Sequence, residues 1–299
     1  MNLGTLIAES IGFTKVFFGT TENLNFLLLH LKSCTKKKVL TIAGSGDSVI
    51  SFLLQRAVVT GVDISPATIY WTRAKIAFAN GLTPDDYSNL MNALNPNQQN
   101  SYDFQRACNS VSQMNLWEDF PDLVRINNFF SSPEMLNNFR QKFFYTTRNY
   151  RKELSPHSFI NPGKVSTENL TFIEGNIFEQ MTSRFDHIHL SNVLDYIFCK
   201  NSKILYDNDG TQNVMPNYSA MPSFFDCPEK QERVELLRNV ADSLKAGGTA
   251  STFTAAYFSH YQPMFISCGQ EAGFRVECHE LPSSHLKRLN DFYLIFHKD

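Results

Sequence analysis

Between residues 38 and 79 the sequence reads strand, tight turn, helix, strand, helix, an order that leaves few folds open. Lys38-Val39-Leu40-Thr41-Ile42-Ala43 is a short apolar run of the kind that fills buried parallel strands. Gly44-Ser45-Gly46 breaks it. A helix is expected from Asp47 to Gln55 and a second strand from Ala57 to Asp63. Ser65 then offers an N-cap with Pro66 at the first helical position, and the following helix runs to about Ala79, with Asn80-Gly81 placed as a C-terminal cap. A strand joined to the next by a helical crossover pairs with it in parallel, so helices must cover both faces of the sheet.

The remainder extends this plan with one interruption. Residues 1–36 form an N-terminal helical segment built on Leu24, Phe26, Leu27, Leu28, Leu29 and Leu31, ending in the basic turn Lys36-Lys37-Lys38. Residues 37–299 make the main domain, interrupted by 81–168. That stretch is rich in asparagine, serine and aromatics, carries prolines at 84, 96, 121, 133, 156 and 162, and reads as a mainly helical insertion with helices over 102–116 and 134–152. Strands return at Leu170–Gly175 and Phe185–Leu190. Pro228 opens an amphipathic helix with Val234, Leu237, Val240, Ala241 and Leu244 on one face, and Gly247-Gly248 is expected to stop it. A strand over Thr249–Ala255, a helix over 261–272 and two consecutive strands, Phe274–Leu281 and Asp291–His297, close the chain. Two final strands without a helix between them predict an antiparallel hairpin. The fold class is therefore α/β: a Rossmann-like, seven-stranded, mostly parallel sheet with a terminal antiparallel hairpin, the class I S-adenosylmethionine (SAM)-dependent methyltransferase fold.

Composition excludes several function classes. A hydrophobic content of 42% over 299 residues supports a full core, and a formal charge of −2 argues against a nucleic-acid binder. The cysteines at 34, 108, 199, 227, 268 and 278 include no Cys-x-x-Cys pair and read as reduced thiols. His187 and His189 share a strand face, but no third ligand can be placed beside them, so no metal is expected. No apolar run reaches the roughly 18 residues of a membrane span, and Met1-Asn2-Leu3-Gly4 lacks the features of a signal peptide, so a cytoplasmic protein is expected.

The turn after the first strand, Ala43-Gly44-Ser45-Gly46, lets the backbone bend sharply and approach a ligand. Val49 stands where the dinucleotide fingerprint has its third glycine, which favours a nucleoside without phosphates over a diphosphate. Asp63, followed by Ile64, ends the second strand, where a carboxylate can take both ribose hydroxyls. After the third strand, Asn176 is placed to bond an adenine amino group and Ile177 to pack on the ring. The fourth strand delivers Leu190-Ser191-Asn192-Val193-Leu194-Asp195-Tyr196; polar groups at the carboxyl end of a central strand sit in the ligand crevice. Ser191, Asn192 and Asp195 are candidates to touch the amino-acid part of SAM or the acceptor.

Val39–Asp47, Val62-Asp63-Ile64-Ser65-Pro66-Ala67 and His189–Tyr196 together resemble the motifs of a family related to the SAM:diacylglycerol 3-amino-3-carboxypropyltransferases of betaine-lipid synthesis. The resemblance covers about half the chain, centred on the Rossmann-like core. Usual members carry Asp-x-Asn-Pro where this chain has Asp63-Ile64-Ser65-Pro66. It implies SAM as donor, transfer of the aminocarboxypropyl group to a small-molecule or lipid-like acceptor, and Asp195 with Tyr196 as the groups that orient the acceptor or remove its proton. Methyl transfer at the same site is the alternative, and a SAM-binding protein without turnover a third reading. The segment 134–152, where Phe139, Phe143, Phe144, Tyr145 and Tyr150 alternate with basic residues, reads either as a helix packed on the core or as a lid or peripheral membrane contact.

Overall fold

The computed structural model describes residues 16, 19, 22–31, 33–95, 144, 162–194, 205–206, 212–213, 230–254, 262–282 and 290–299. Helix α1 spans Leu24–His30, followed by β1 (Lys38–Ile42), α2 (Asp47–Leu54), β2 (Val58–Asp63), α3 (Pro66–Gly81) and α4 (Pro84–Leu94). Strand β3 (Leu170–Glu174), a 3-10 turn (Ile177–Gln180) and β4 (Phe185–His189) come next. The last part holds α5 (Lys230–Asp242), β5 (Leu244–Thr254), α6 (Gln262–Glu271), β6 (Arg275–Pro282) and β7 (Asn290–His297). A two-residue ribbon, Leu205–Tyr206 with Gln212–Asn213, stands apart from the main sheet.

The sheet runs β3-β2-β1-β4-β5-β7-β6. The first five strands are parallel, and β7 lies antiparallel between β5 and β6. This is the expected Rossmann-like class I methyltransferase fold, hairpin included. Strand alternation sorts the core into two layers. Val39, Phe253 and Tyr293 face one cluster with Leu27, Val49, Phe52, Trp71, Phe78, Tyr87 and Leu90, from α1 to α4. Leu40, Ile188, Ala250 and Leu294 face another with Val234, Leu237, Val240 and Phe265, from α5 and α6. Burying each such side chain contributes about 1.5–3 kcal/mol. Chain order reverses between β1 and β4, the position where open α/β sheets leave a crevice at the carboxyl ends of their strands.

Three local expectations are corrected. Asn80-Gly81 does not cap α3, which continues through Gly81 to a C-cap at Leu82 in extended backbone. The Asn80 amide instead bonds both backbone groups of Val165: Nδ2 donates to Val165 O at 3.0 Å and Oδ1 accepts from Val165 N at 2.7 Å. Gly247-Gly248 does not end α5, which stops at Asp242. There Ser243 Oγ donates to Asn239 O at 2.8 Å and Met181 O at 2.9 Å, and β5 starts at Leu244 and passes through both glycines with a register shift between Phe185 and His187. Residues 84–94 form α4, a helix not expected there, begun by Thr83, whose Oγ1 accepts from Asp86 N at 3.2 Å, and by Pro84 at the first turn. The expected helices over 102–116 and 134–152 lie outside the described residues, apart from Phe144. The Phe144 ring is fully buried and meets Trp71 edge-on at 4.8 Å, so this aromatic belongs to the core and not to a membrane-facing surface. Among the described residues, no helix is long and apolar enough to cross a membrane.

Candidate cofactor and acceptor site

At the carboxyl ends of β1 and β2 the backbone does what the glycines permit. Gly44 has φ of 52° and Gly46 of 89°, both in the left-handed region, and Gly46 serves as the N-cap of α2. The two glycines serve different ends. A Cβ on Gly46 would stand 3.0–3.1 Å from atoms of Thr72 on α3, so this position lets two helices close up. A Cβ on Gly44 would meet nothing nearer than Ile42 Cγ2 at 4.0 Å, so its open side faces the crevice.

Asp63 is tied to that open glycine. Its Oδ2 accepts from Gly44 N at 3.0 Å and its Oδ1 from Ser65 N at 2.9 Å. With Thr68 as a third donor, the carboxylate keeps one of its roughly four lone-pair sites for a ligand hydroxyl. Burial pushes the carboxyl up to about 6, against the pull of hydrogen bonds from Ser65, Gly44 and Thr68. Ile64, next to it, leaves 46% of its surface exposed, an apolar face beside the acid. Asp63 pairs with Glu174 on β3, and Gly175 N donates to Asp63 O at 2.9 Å, which brings Gly175-Asn176 onto the same rim. The Asn176 Oδ1 accepts from Phe178 N at 3.1 Å and caps the 3-10 turn. Ile177 is buried in the second core cluster beneath the rim, with 5% exposure, so Ile64 presents far more apolar surface to the crevice than Ile177 does.

Beneath the turn lies a brace that the sequence reading missed. Lys75 on α3 has no exposed surface, and its Nζ donates to Asp47 Oδ1 at 2.7 Å and to Ser45 O at 3.1 Å. Asp47 Oδ2 accepts from Ser45 Oγ at 2.9 Å. One buried ion pair thus fixes the middle of the glycine turn from below. A signal existed: the α3 run Ala74-Lys75-Ile76-Ala77-Phe78 is apolar on every side of the lysine, and an ammonium in such a helix has to find a buried partner.

The end of β4 holds a second unforeseen group. Glu22, 5% exposed, lies against the strand ends, where Ser191 Oγ donates to its Oε1, His189 Nε2 lies 3.1 Å from its Oε2 and Tyr293 OH donates to Oε2 at 3.3 Å. Behind it the network runs on through hydroxyls and imidazoles: His189 Nδ1 to Ser251 Oγ at 2.9 Å, Ser251 Oγ to His187 Nε2 at 3.1 Å, His187 Nδ1 to Thr249 Oγ1 at 2.9 Å. Both nitrogens of each histidine are engaged, as suits sheet-face histidines and not ligands. Burial, then the neighbouring His189, holds His187 well below its ordinary range, so its ring is neutral. Ser191 itself sits at φ of 50°, its carbonyl accepting from Phe253 N at 2.8 Å and Thr252 Oγ1 at 2.7 Å. A non-glycine residue is held in that region by β5 through its carbonyl and by Glu22 through its hydroxyl. Asn192 is half-buried beside it; Asp195 and Tyr196 lie outside the described residues. The structure therefore gathers Gly44, Asp63, Ile64 and Asn176 on one side of the switch point and Ser191 with Glu22 on the other, β1 and β4 being joined there by the Thr41–His189 register pair. Ala43 and Ser45 are buried within the turn and support it.

Among solved structures, the chain is similar to magnesium protoporphyrin IX methyltransferase of Synechocystis PCC 6803 with bound SAM, at 10% identity over 93% of this chain and 78% of that one, with a TM-score of 0.44. It is similar to a methyltransferase of Pyrococcus furiosus at 10% identity, 99% and 93% coverage and a TM-score of 0.41. A third is the precorrin-8w decarboxylase of Methanobacterium thermoautotrophicum, at 13% identity, 92% and 88% coverage and a TM-score of 0.39. At these identities and TM-scores the likeness carries no argument, and the fold rests on the strand order of the sheet. No protein-family model matches the chain, and no curated protein matches it in sequence. The resemblance to aminocarboxypropyltransferases accordingly rests on its motif residues only.

Proposed function

We propose that this chain is a SAM-dependent transferase that moves the methyl group of SAM to a small-molecule or lipid-like acceptor. The observation that carries the reading is the Asp63 carboxylate fastened to the Gly44 amide at the mouth of the β1–β2 crevice, with the open side of Gly44 and the exposed face of Ile64 next to it. These residues suit an adenosyl group: a carboxylate acceptor for a ribose hydroxyl, an apolar face for the base, and a turn with no third glycine for a pyrophosphate. When bound, SAM supplies an electrophilic carbon on its sulfonium. The chain's part is to hold the ribose through Asp63, to let the backbone close on the ligand at Gly44 and to present acceptor-side polar groups from the end of β4, Ser191 and Asn192 among them. Asp195 and Tyr196 follow in the same segment and are assigned acceptor orientation or proton removal. Such a group acts only within hydrogen-bond reach of the acceptor.

The fold does not decide which carbon of the sulfonium is attacked. The aminocarboxypropyl reading depends on the His189–Tyr196 string, which ends outside the described residues, whereas methyl transfer needs only the adenosyl-shaped crevice at Gly44, Asp63 and Ile64. The test is direct. Calorimetry with SAM and with NAD is expected to show binding of the first and none of the second. Incubation with SAM and a panel of acceptors is expected to yield S-adenosylhomocysteine. Methylthioadenosine in its place would restore the aminocarboxypropyl reading, and binding without either product would leave a non-catalytic SAM-binding protein.

A further inference from the structure

Where α1 crosses the outer hairpin, two imidazoles and a carboxylate converge from separate parts of the chain. His30 stands in the last turn of α1, while Glu277 and His279 are two residues apart on β6 and so share a face. One donor atom from each lies within 4.8 Å of the others. The His279 Nε2 is buried with no hydrogen-bond partner, 3.6 Å from Glu277 Oε2. That separation is close to the edge of a tetrahedron, ~3.3 Å when ligands stand ~2.0–2.1 Å from a zinc ion. The other carboxylate oxygen is already engaged: Arg275 donates to Oε1, and His297 Nε2 lies 3.3 Å from it. The arrangement leaves Oε2 for a ligand and fixes the carboxylate from behind, as the outer partners of metal-binding carboxylates do.

We propose that His30, His279 and Glu277 bind one divalent transition-metal ion of the Zn2+ type, with water completing the coordination and Arg275 and His297 orienting the carboxylate. Two neutral imidazoles and one carboxylate are a donor set suited to zinc and not to magnesium or calcium, which favour oxygen ligands. His30 is exposed, so the cluster opens to solvent on that side, and a cavity of about 150 Å³ lined by His30 and His297 adjoins it. The ion would clasp α1 to β6. Because Glu22 immediately precedes the Asn23 cap of that helix, the clasp would also hold Glu22 against His189 and Ser191. Local spacing along the chain points to His187 and His189 and not to this cluster, whose members meet only in the fold. The inference is independent of the group-transfer reading.

Calorimetric titration of the chelator-treated full chain with ZnCl2 is expected to show one equivalent bound, and Zn2+ to raise the melting temperature where Mg2+ does not. His30→Gln, at an exposed helix end where the fold tolerates it, and His279→Ala are expected to weaken Zn2+ binding by more than the roughly 10–100-fold expected for His297→Gln, an outer-sphere change. Both should remove the rise in melting temperature while leaving the metal-free melting temperature of His30→Gln unchanged. Co2+ should give the visible absorption of a tetrahedral site in the natural chain and not in His30→Gln. No Zn2+ binding, or binding as tight in His30→Gln as in the natural chain, overturns the proposal.

Discussion

The carboxylate of Asp63 and the amide of Gly44, nineteen residues apart, are joined by a 3.0 Å hydrogen bond that ties the end of β2 to the turn after β1. Because burial raises this carboxyl to about 6, its protonation state changes within the working range of most enzymes. A ligand hydroxyl needs the ionised form as acceptor, so SAM affinity is expected to rise about tenfold from pH 5 to pH 7 and then level off, following the ionised fraction. Isothermal titration across that range checks it. Asp63→Ala should abolish the pH dependence and weaken binding at pH 7 by at least about tenfold, as loss of a charged hydrogen-bond acceptor requires. The linkage to folding has the opposite sense. The folded pKa is raised above the unfolded one, so Asp63 contributes stability in acid that is lost as pH rises from about 4 through about 6.

Gly44→Ala and Gly46→Ala should separate binding from stability. At both positions a side chain in the left-handed region costs about 1–2 kcal/mol. At Gly46 the new methyl also meets Thr72 at 3.0–3.1 Å, so its melting temperature should fall the further of the two. Gly44 has room for the methyl, which then stands where the ligand approaches. Its variant should lose SAM affinity with only a modest drop in melting temperature.

Lys75→Met should be among the most destabilising single changes, by about 3–5 kcal/mol, because it leaves the buried Asp47 carboxylate without its ammonium. Adding Asp47→Asn should recover a substantial part of that loss in denaturant unfolding, the mark of a coupled pair. If the double variant is no more stable than Lys75→Met alone, the pair does not act as a unit.

His187 bears on acid stability. Its folded pKa lies well below 6.5, so the unfolded chain takes up a proton that the folded chain refuses. Stability is full above the unfolded value and falls as pH drops through it, with a slope of up to about 1.4 kcal/mol per pH unit. Asp63 works in the other direction below about 6, so the comparison has to be made between variants. His187→Gln should show a shallower decline in melting temperature between pH 7 and pH 5 than the natural chain.

Much of the fold can be read in the sequence because its signals are local. The apolar run before Gly44, the Ser65-Pro66 helix start and the two closing strands without a helix between them each lie within a few residues, and together they announce a mostly parallel sheet with a closing hairpin. Gly247-Gly248 misleads because the same residues that stop a helix also pass through a strand where the register breaks. Asn80 misleads because its amide finds Val165, 85 residues on, in place of its own helix end. The nearness of Gly44 and Asp63 is similarly legible, since both end neighbouring strands. The partners gathered at Ser45 and at the end of β4 are not. Glu22 reaches His189 across 167 residues, and Lys75 reaches Asp47 across 28; no window along the chain contains either pair.

The Asn80–Val165 clamp also bears on how such a chain can change over time. It joins the point where the backbone leaves α3 to the point where it returns toward β3, holding the two ends at hydrogen-bond distance. The excursion between them is anchored from inside as well, because Tyr87 and Leu90 of α4 and the ring of Phe144 are built into the same core as Trp71, so a shortened loop that spared the clamp but lost these side chains would leave a hole against α3.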